Sequence, residues 1–202
     1  MRKLLIATHN KAKLEEMREH LKGLPFNVIG MDDTGIAKEW RVEEVGETFE
    51  GNALIKAIIT GKKSGLLTIA DDSGVEVDAL HGEPGVRSAR YVEGDDVSRY
   101  IAILEKMEDV PDDARGAKFV SVIALYDPMT DNVCVTRGEC EGRITREPKG
   151  ERGFGYDPIF YVEELGKTYA EATLEEKMRV DHRGKAIDKM RLVLESYAPQ
   201  VD

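Results

Sequence analysis

The chain has 202 residues, 41% of them hydrophobic, which is enough for one globular domain with a sizeable core. Its net charge of −10 argues against general nucleic-acid binding, which usually needs a basic face, but does not exclude a small anionic substrate. No apolar run approaches the ~20 residues of a membrane helix, so we expect no membrane partner.

The first half of the chain alternates predicted strands and helices. The strands are residues 3–8, 26–29 and 66–70, the last with a hairpin-like continuation through Val75–Leu80. The helices are one that begins at Asn10 and Lys11 and one that runs from a Thr48 cap to about Lys62. Their expected buried faces are Leu14, Met17 and Leu21 in the first and Ile55, Ile58 and Ile59 in the second. The apolar part of residues 3–8 is too short for a secretory signal.

The second half contains a predicted helix over residues 97–108, with Val97, Ile101 and Leu104 facing inward. Residues 119–126 are apolar at almost every position, which is typical of a central strand covered on both faces. A turn over residues 127–132 returns the chain to an antiparallel strand over 133–141. A carboxyl-terminal helix follows, with one apolar face formed by Ile187, Met190, Leu194 and Tyr197. The pattern predicts an α/β fold with a mixed sheet flanked by helices.

Both cysteines, Cys134 and Cys140, lie on the strand predicted over 133–141. Their spacing does not suit a zinc site, and a disulfide within one strand is geometrically unfavourable. We therefore expect reduced thiols and a cytoplasmic location.

The chain contains four Asp-Asp pairs, of which one is distinctive. Three are typical of turns or helix caps, namely those beginning at Asp32, Asp95 and Asp112. Asp71-Asp72 instead follows a hydrophobic strand, and α/β sheets bind ligands beyond the carboxyl ends of their strands. Consecutive strand residues point to opposite faces, so these two carboxylates share a metal only if the chain turns at once, which Gly74 permits.

Four further polar segments lie in predicted connections. Residues 8–13 form a strand-to-helix turn, which suits a phosphate but is equally typical of an ordinary capped helix. Residues 43–47 contain acidic side chains that are metal-ligand candidates or simple complements to a helix dipole. Residues 153–157 contain two aromatic residues separated by a glycine. This pattern is typical of a pocket that stacks a flat base, and equally of aromatic rings that pack in the hydrophobic core. Lys177 and residues 181–185 form a cationic cluster suited to an anion.

Together these segments resemble the inosine triphosphate pyrophosphatase family, and the matches cover nearly the whole chain. The matching motifs are Thr8-His9-Asn10 with Lys13; Glu47-Thr48-Phe49 with Asn52-Ala53 and Lys56-Ala57; Ala70-Asp71-Asp72-Ser73-Gly74; Pro84-Gly85 with Ser88-Ala89-Arg90; Gly153-Phe154-Gly155-Tyr156-Asp157-Pro158 with Phe160; and Glu176-Lys177 with His182-Arg183. The resemblance implies Mg²⁺-dependent hydrolysis of ITP, dITP and XTP to the monophosphate and pyrophosphate. It also implies a single pyrophosphatase domain over 1–202, elongated, with two lobes and a central substrate cleft, and a homodimer.

The same resemblance assigns roles to residues. Asp72 is the expected catalytic base and a metal ligand, Glu44 is the second metal ligand, and Asp71 supports them. The positions that match substrate-binding motifs are Thr8, His9, Asn10, Lys11, Ala12, Lys13, Lys56, Ser73, Phe154, Gly155, Tyr156, Asp157, Lys177, His182 and Arg183.

Within that set, the Thr8–Lys13 turn and Lys56 suit the phosphates. Phe154 and Tyr156 would enclose the base. Asp157 suits a protonated N1–H, and Arg183 or Lys177 suits O6, a pattern that hypoxanthine and xanthine present and adenine reverses.

Asp181 departs from the family, which usually has Ser before the His-Arg pair; an added carboxylate would orient Arg183 or His182, or weaken anion binding. The alternatives are a related Maf-like pyrophosphatase with another base preference, which lacks the Phe-Gly-Tyr-Asp run, a nucleotide sensor without turnover, and a Mg²⁺ phosphomonoesterase.

Overall fold

The structure, a computed structural model, describes residues 1–198. Its strands are β1 Arg2–Ile6, β2 Phe26–Ile29, β3 Leu67–Val77, β4 Gly116–Asp127, β5 Asn132–Ile144, β6 Phe160–Val162 and β7 Lys167–Thr168. Its α-helices are α1 Lys11–His20, α2 Phe49–Ser64, α3 Asp96–Lys106, α4 Leu174–Met178 and α5 His182–Glu195. Among the described residues, no helix joins the length and the apolar run that crossing a membrane requires.

The strands form one mixed sheet in the order β2-β1-β3-β4-β5-β6-β7. β1 pairs in parallel with both β2 and β3, whereas β6 pairs antiparallel with β5 and β7. β4 is buried along almost its whole length, which confirms the prediction of a strand covered on both faces. The predicted α/β fold with a mixed sheet and flanking helices is therefore confirmed.

The chain divides into two compact units. The first comprises Met1–Asp72, Ser121–Gly138 and the segment that begins at Arg183; the second comprises Ser73–Val120 and Glu139–His182. Strands β3, β4 and β5 contribute residues to both. Each unit has its own hydrophobic core, centred on Leu4, Ile6 and Met190 in the first and on Phe119, Phe160 and Tyr169 in the second. The predicted substrate cleft stays a prediction.

Helix ends follow the predicted capping chemistry. The Asn10 side chain accepts a hydrogen bond from the Lys13 backbone N–H at the start of α1, and Thr48 accepts from the Gly51 N–H at the start of α2. Asp95 caps α3 by accepting from the Ser98 N–H. α5 buries Ile187, Met190 and Leu194, as its sequence pattern predicts.

Two predicted helix faces are wrong in part. Ile59 of α2 is 46% exposed, because the small residues Ala53, Ala57 and Gly61 lie inward instead. A Cβ on Gly61 would lie 2.4 Å from the Tyr126 ring, so this face needs small residues.

In α3, Val97 and Ile101 are exposed. The buried side of that helix is formed by Ile103 and by Met107 just beyond it, with Leu104 packed beside them.

The prediction of a strand ending at residue 70 is also wrong. β3 continues without interruption through Asp71, Asp72 and Gly74 to Val77. Gly74 makes no turn; a Cβ there would lie 2.3 Å from the Ser88 Oγ, so the glycine lets that hydroxyl approach the strand.

Candidate active site

The two adjacent carboxylates, Asp71 and Asp72, lie in the part of β3 that extends beyond the end of its neighbour β1. β1 ends at Ile6, which pairs with Ile69, so Asp71 and Asp72 lie beyond the carboxyl end of the parallel strand. Because the strand does not turn, successive side chains point to opposite faces. Asp71 and Asp72 accordingly contact different partners.

Asp71 is buried among cations. Its Oδ2 lies 2.7 Å from the Lys13 Nζ, its Oδ1 accepts from the Ser121 hydroxyl at 2.6 Å, and the Arg183 Nε lies 3.6 Å from Oδ1. Burial would raise the pKa of Asp71, but Lys13, Arg183 and the hydrogen bonds outweigh it, and the pKa falls well below its usual range. This carboxylate therefore stays ionised, and its place is structural.

Arg183 on α5 is a fully buried cation. Besides Asp71 it forms an ion pair with Glu16 of α1, and both side chains are nearly inaccessible to solvent. The guanidinium therefore joins α1, β3 and α5 within the first unit. Removing one partner of such a buried pair is costly, because an uncompensated charge remains.

Asp72 belongs to a second ion cluster, on the opposite side of the strand. The Lys56 Nζ on α2 lies 2.7 Å from the Asp72 Oδ1 and 3.1 Å from the Glu44 Oε1, and also donates to the Asp71 backbone carbonyl at 2.6 Å. Asn52, which is fully buried, places its Nδ2 3.4 Å from the Asp72 Oδ2 and accepts from the Gly46 N–H through its Oδ1. Residues from α2, β3 and the segment before α2 thus converge.

The pKa values of Asp72 and Asp71 are shifted in opposite directions. Burial raises the pKa of Asp72 by more than Lys56 lowers it. For Lys56, burial lowers the pKa, but Asp72 and Glu44 together outweigh it, so the ammonium stays charged. Two neighbouring carboxylates with pKa values shifted in opposite directions are the usual arrangement when one acts as a base and the other as a fixed charge.

The geometry of Glu44 and Asp72 fits a divalent cation. Their oxygens already converge on one positive charge, the Lys56 ammonium. Within residues 1–198, no group of three His, Cys, Asp or Glu side chains forms a closed metal site. Mg²⁺ typically takes one or two protein carboxylates and completes its shell with water and phosphate oxygens, so two carboxylates suffice.

The turn between β1 and α1 is arranged like an anion site. Thr8 accepts from the Asn10 N–H, and Asn10 accepts from the Lys13 N–H. The N–H groups of Lys11 and Ala12 belong to the first helical turn, where no intrahelical carbonyl is available. The His9 Nε2 lies 3.0 Å from the Trp40 carbonyl oxygen, and this contact connects the turn to the loop after β2.

The second unit holds a buried ion pair. The Lys177 Nζ on α4 lies 2.8 Å from the Asp157 Oδ2, and the two residues are 4% and 2% exposed. The same oxygen accepts from the Phe154 N–H at 3.0 Å. Gly153 has φ +77°, and a Cβ there would lie 2.0 Å from the Asp157 Oδ2, so only glycine leaves room for this carboxylate.

The two predicted base-binding rings have different environments. Tyr156 is buried and its hydroxyl donates to the Ser88 carbonyl, which fits a core role for that ring. Phe154 stays half-buried, so of the two it has the surface to stack on a base. Gly155 donates through its N–H to the Asp96 carboxylate at 2.7 Å, and Ser73 is half-buried on β3.

His182 begins α5 and stacks on Phe119, with ring centroids 4.7 Å apart and an interplanar angle of 14°. Asp181, the residue before it, is 1% exposed. The Asp at this position is thus a buried group rather than a solvated one.

The predicted residues therefore gather into two sets. In the first unit, Lys13 and Arg183 surround Asp71, and Lys56 joins Glu44 to Asp72. In the second, Lys177 joins Asp157 beside Phe154.

Two partners of the buried charges were missed by sequence reasoning. Nothing in the sequence pattern pointed to Glu16 as a partner of Arg183. Ser121 is a polar residue inside the apolar run of β4, a signal that could have identified it as a partner of a buried charge.

Comparison with known proteins gives a consistent result. The model of the Ham1 family matches residues 4–193. The dITP/XTP pyrophosphatase of Symbiobacterium thermophilum is 48% identical over 186 residues, which are 92% of this chain and 91% of that protein. The dITP/XTP pyrophosphatase of one strain of Thermus thermophilus is 45% identical over 196 residues, covering 96% and 91% respectively. A solved HAM1 protein from Coxiella burnetii superposes with a TM-score of 0.86 at 40% identity, covering 97% of this chain and 100% of that one.

Proposed function

The chain belongs to the Ham1 family, and from this premise we propose that it hydrolyses non-standard purine nucleoside triphosphates, namely ITP, dITP and XTP. It is a nucleoside triphosphate pyrophosphatase: water attacks, the bond between the α- and β-phosphates breaks, and the products are the nucleoside monophosphate and pyrophosphate. The observation that carries the proposal is the convergence of Glu44 and Asp72 on Lys56, next to Asp71, whose partner Lys13 lies in the first turn of α1.

Asp72 acts as the general base. Its raised pKa makes it a better proton acceptor than its neighbour Asp71, and Lys56 holds the carboxylate in one orientation. The proton of the attacking water passes to the Asp72 carboxylate and then to solvent.

Glu44 and Asp72 hold Mg²⁺ in this proposal. When bound, the ion neutralises negative charge on the phosphate oxygens and orients them. The Lys11 and Ala12 N–H groups and Lys13 bind phosphate oxygens at the start of α1, where the helix dipole favours negative charge.

Base selection falls to the residues of the second unit. Asp157 accepts the N1–H of hypoxanthine or xanthine, and Lys177 donates to O6 while Phe154 stacks on the ring. Adenine presents an amino group and an unprotonated N1 instead, so each of these buried groups would lose its partner. Arg183 binds substrate less directly in this scheme, because it forms ion pairs with Glu16 and Asp71.

The decisive experiment incubates the purified protein with Mg²⁺ and ITP, XTP, ATP or GTP, and measures pyrophosphate separately from orthophosphate. Pyrophosphate from ITP and XTP far above that from ATP and GTP supports the proposal. Orthophosphate would indicate a phosphomonoesterase, and tight binding without product would indicate a sensor. Omitting Mg²⁺ should abolish product release.

Two further parts of the proposal concern assembly and location. We propose a homodimer, which sedimentation of the purified protein tests. We also propose a cytoplasmic location, where the nucleotide pool holds such substrates, and cell fractionation tests it.

A further inference from the structure

An aromatic residue outside the predicted site contacts its central cation. The Lys177 Nζ lies 5.1 Å from the centroid of the Phe154 ring and 5.1 Å from that of Tyr169. The Asp157 Oδ2 lies 2.8 Å from the same ammonium, so a carboxylate and the faces of two rings are close to it. Phe154 belongs to the predicted base-binding motif, whereas Tyr169 belongs to none of the matched motifs.

Tyr169 is held rigidly. It is 1% exposed, and its ring packs against Phe119 at 5.8 Å and Phe160 at 5.2 Å between centroids. Its backbone N–H donates to the Phe160 carbonyl, and the next N–H, that of Ala170, donates to the Asp157 carbonyl. The ring and the carboxylate that share Lys177 are thus attached to one hydrogen-bonded framework.

The same packing reaches His182. The centroid of the Phe119 ring lies 4.7 Å from that of His182 and 5.8 Å from that of Tyr169, and the Tyr169 and His182 centroids lie 6.5 Å apart with an interplanar angle of 23°. Tyr169 therefore belongs to one group of rings with His182 and also lies against Lys177, and both of those residues match substrate-binding motifs.

Tyr169 presents a neutral ring to the ammonium. Burial, with a smaller contribution from the nearby Cys140 thiol, raises the pKa of its hydroxyl far above the usual range. The side chain consequently stays protonated, and its attraction for Lys177 comes from the ring face. Such cation–π attraction is strongest where water is excluded, as it is here.

We propose that Tyr169 is a positioning residue for base recognition: its ring holds the Lys177 ammonium against Asp157, so that the pair presents one donor and one acceptor in fixed places. This inference rests on the proposed function. It assigns part of the selectivity for keto purines to a residue that does not itself touch the base.

Loss of the ring should affect binding of the base and leave the chemical step intact. An unconstrained Lys177 side chain has several rotamers, and a change of rotamer would move the ammonium away from its observed place on Asp157. We expect an increase in KM for ITP of about tenfold and an equal loss of the ITP-to-ATP ratio of kcat/KM. The value of kcat should change little, because Asp72 and its partners belong to the other unit.

The test compares three variants with the wild type, using kcat and KM for ITP and ATP together with the unfolding temperature. Tyr169→Leu removes the ring, and Tyr169→Phe keeps it while removing only the hydroxyl. Phe160→Leu is the matched control, because Phe160 is equally buried and packs on Phe119 and Tyr169. The expected result is loss of ITP preference in Tyr169→Leu alone, with stability lowered in both leucine variants.

A fourth variant serves in case Tyr169→Leu fails to fold. Trifluorophenylalanine at position 169 keeps the shape of Phe but withdraws electron density from the ring face, so KM for ITP should rise relative to Tyr169→Phe. Equal KM values for these two variants would overturn the proposal, as would an unchanged ITP-to-ATP ratio in folded Tyr169→Leu or an equal loss in Phe160→Leu. A wild-type protein that releases no pyrophosphate from ITP would instead contradict the proposed function itself.

Discussion

The two units hold charge in different ways. The charged cluster of the first unit contains four carboxylates and three cations, namely Glu16, Glu44, Asp71, Asp72, Lys13, Lys56 and Arg183. The second unit's counterpart is one ion pair, Lys177 and Asp157, enclosed by the rings of Phe154 and Tyr169.

The difference corresponds to two kinds of recognition. A network in which several cations share several carboxylates can exchange partners when a highly charged anion and a divalent cation arrive. A buried ion pair packed against aromatic rings is held in one arrangement, and it offers a constant pattern of a donor beside an acceptor. The first arrangement suits the phosphates, which are the same in all nucleoside triphosphates. The second suits the purine base, which distinguishes one nucleotide from another.

The largest effect should come from removing the proposed general base, Asp72, from the charged cluster of the first unit. Asp72→Asn keeps the shape of the side chain but cannot accept the proton of water, so we expect kcat to fall about a thousandfold. Nucleotide binding, measured by titration calorimetry, should remain detectable. Asp32→Asn, at an exposed aspartate of another pair, is the control for loss of one charge and should keep its activity. A near-normal rate in Asp72→Asn would remove this residue from the mechanism.

A smaller effect should follow from disturbing the ion pair of the second unit. Gly153→Ala would place a Cβ 2.0 Å from the Asp157 Oδ2, and we expect the ITP-to-ATP ratio of kcat/KM to fall about a hundredfold as that carboxylate is displaced.

Gly166→Ala is the matched control for this change. Gly166 lies outside the matched motifs and also has a positive φ, +66°, but a Cβ there meets nothing within 4 Å. Both variants should therefore share a backbone strain of about 1–2 kcal/mol in the free energy of unfolding, and only Gly153→Ala should lose selectivity. Equal loss of selectivity in both would show that strain, and not the Asp157 contact, is responsible.

The smallest effect should come from salt. Raising the NaCl concentration from about 0.05 M to about 0.5 M screens exposed charges, so KM for ITP should rise several-fold through the partly exposed phosphate-binding cations. The ITP-to-ATP ratio should stay constant, because both nucleotides carry the same triphosphate and the Lys177–Asp157 pair is buried. Steady-state kinetics over this range measure both quantities, and a ratio that falls in step with affinity would contradict the proposed division.

Much of the fold could be predicted because local signals agree with it. The caps at Asn10 and Thr48, the continuous apolar run of β4 and the periodicity of α5 all correspond to observed elements. The short strands β6 and β7 were missed, since pairs and triplets of residues carry no usable periodicity. α4 was missed although its Thr173 and Glu176 form a capping box, which the sequence displays.

The errors inside elements come from tertiary contacts. Asp71 and Asp72 make the middle of β3 resemble a loop by composition, but their ion pairs with lysines on neighbouring helices let the strand continue. The alternation of strand side chains correctly separated the two carboxylates. The role of Tyr169 could not be predicted from the sequence, because an aromatic residue in a polar stretch is as typical of an ordinary core position as of a residue that supports a binding site.

Because β3 is uninterrupted, the face to which each of its side chains points depends on the register of the strand. A one-residue slip of a strand exchanges every side chain between its two faces. Deleting Ala70 would therefore carry Asp72 toward Lys13 and Arg183, and bring Ser73 to the position beside Lys56. A hydroxyl there has neither the charge to hold a cation nor the basicity to take a proton. The order of the residues along this strand, and not merely the presence of two acids, is what the chemistry requires.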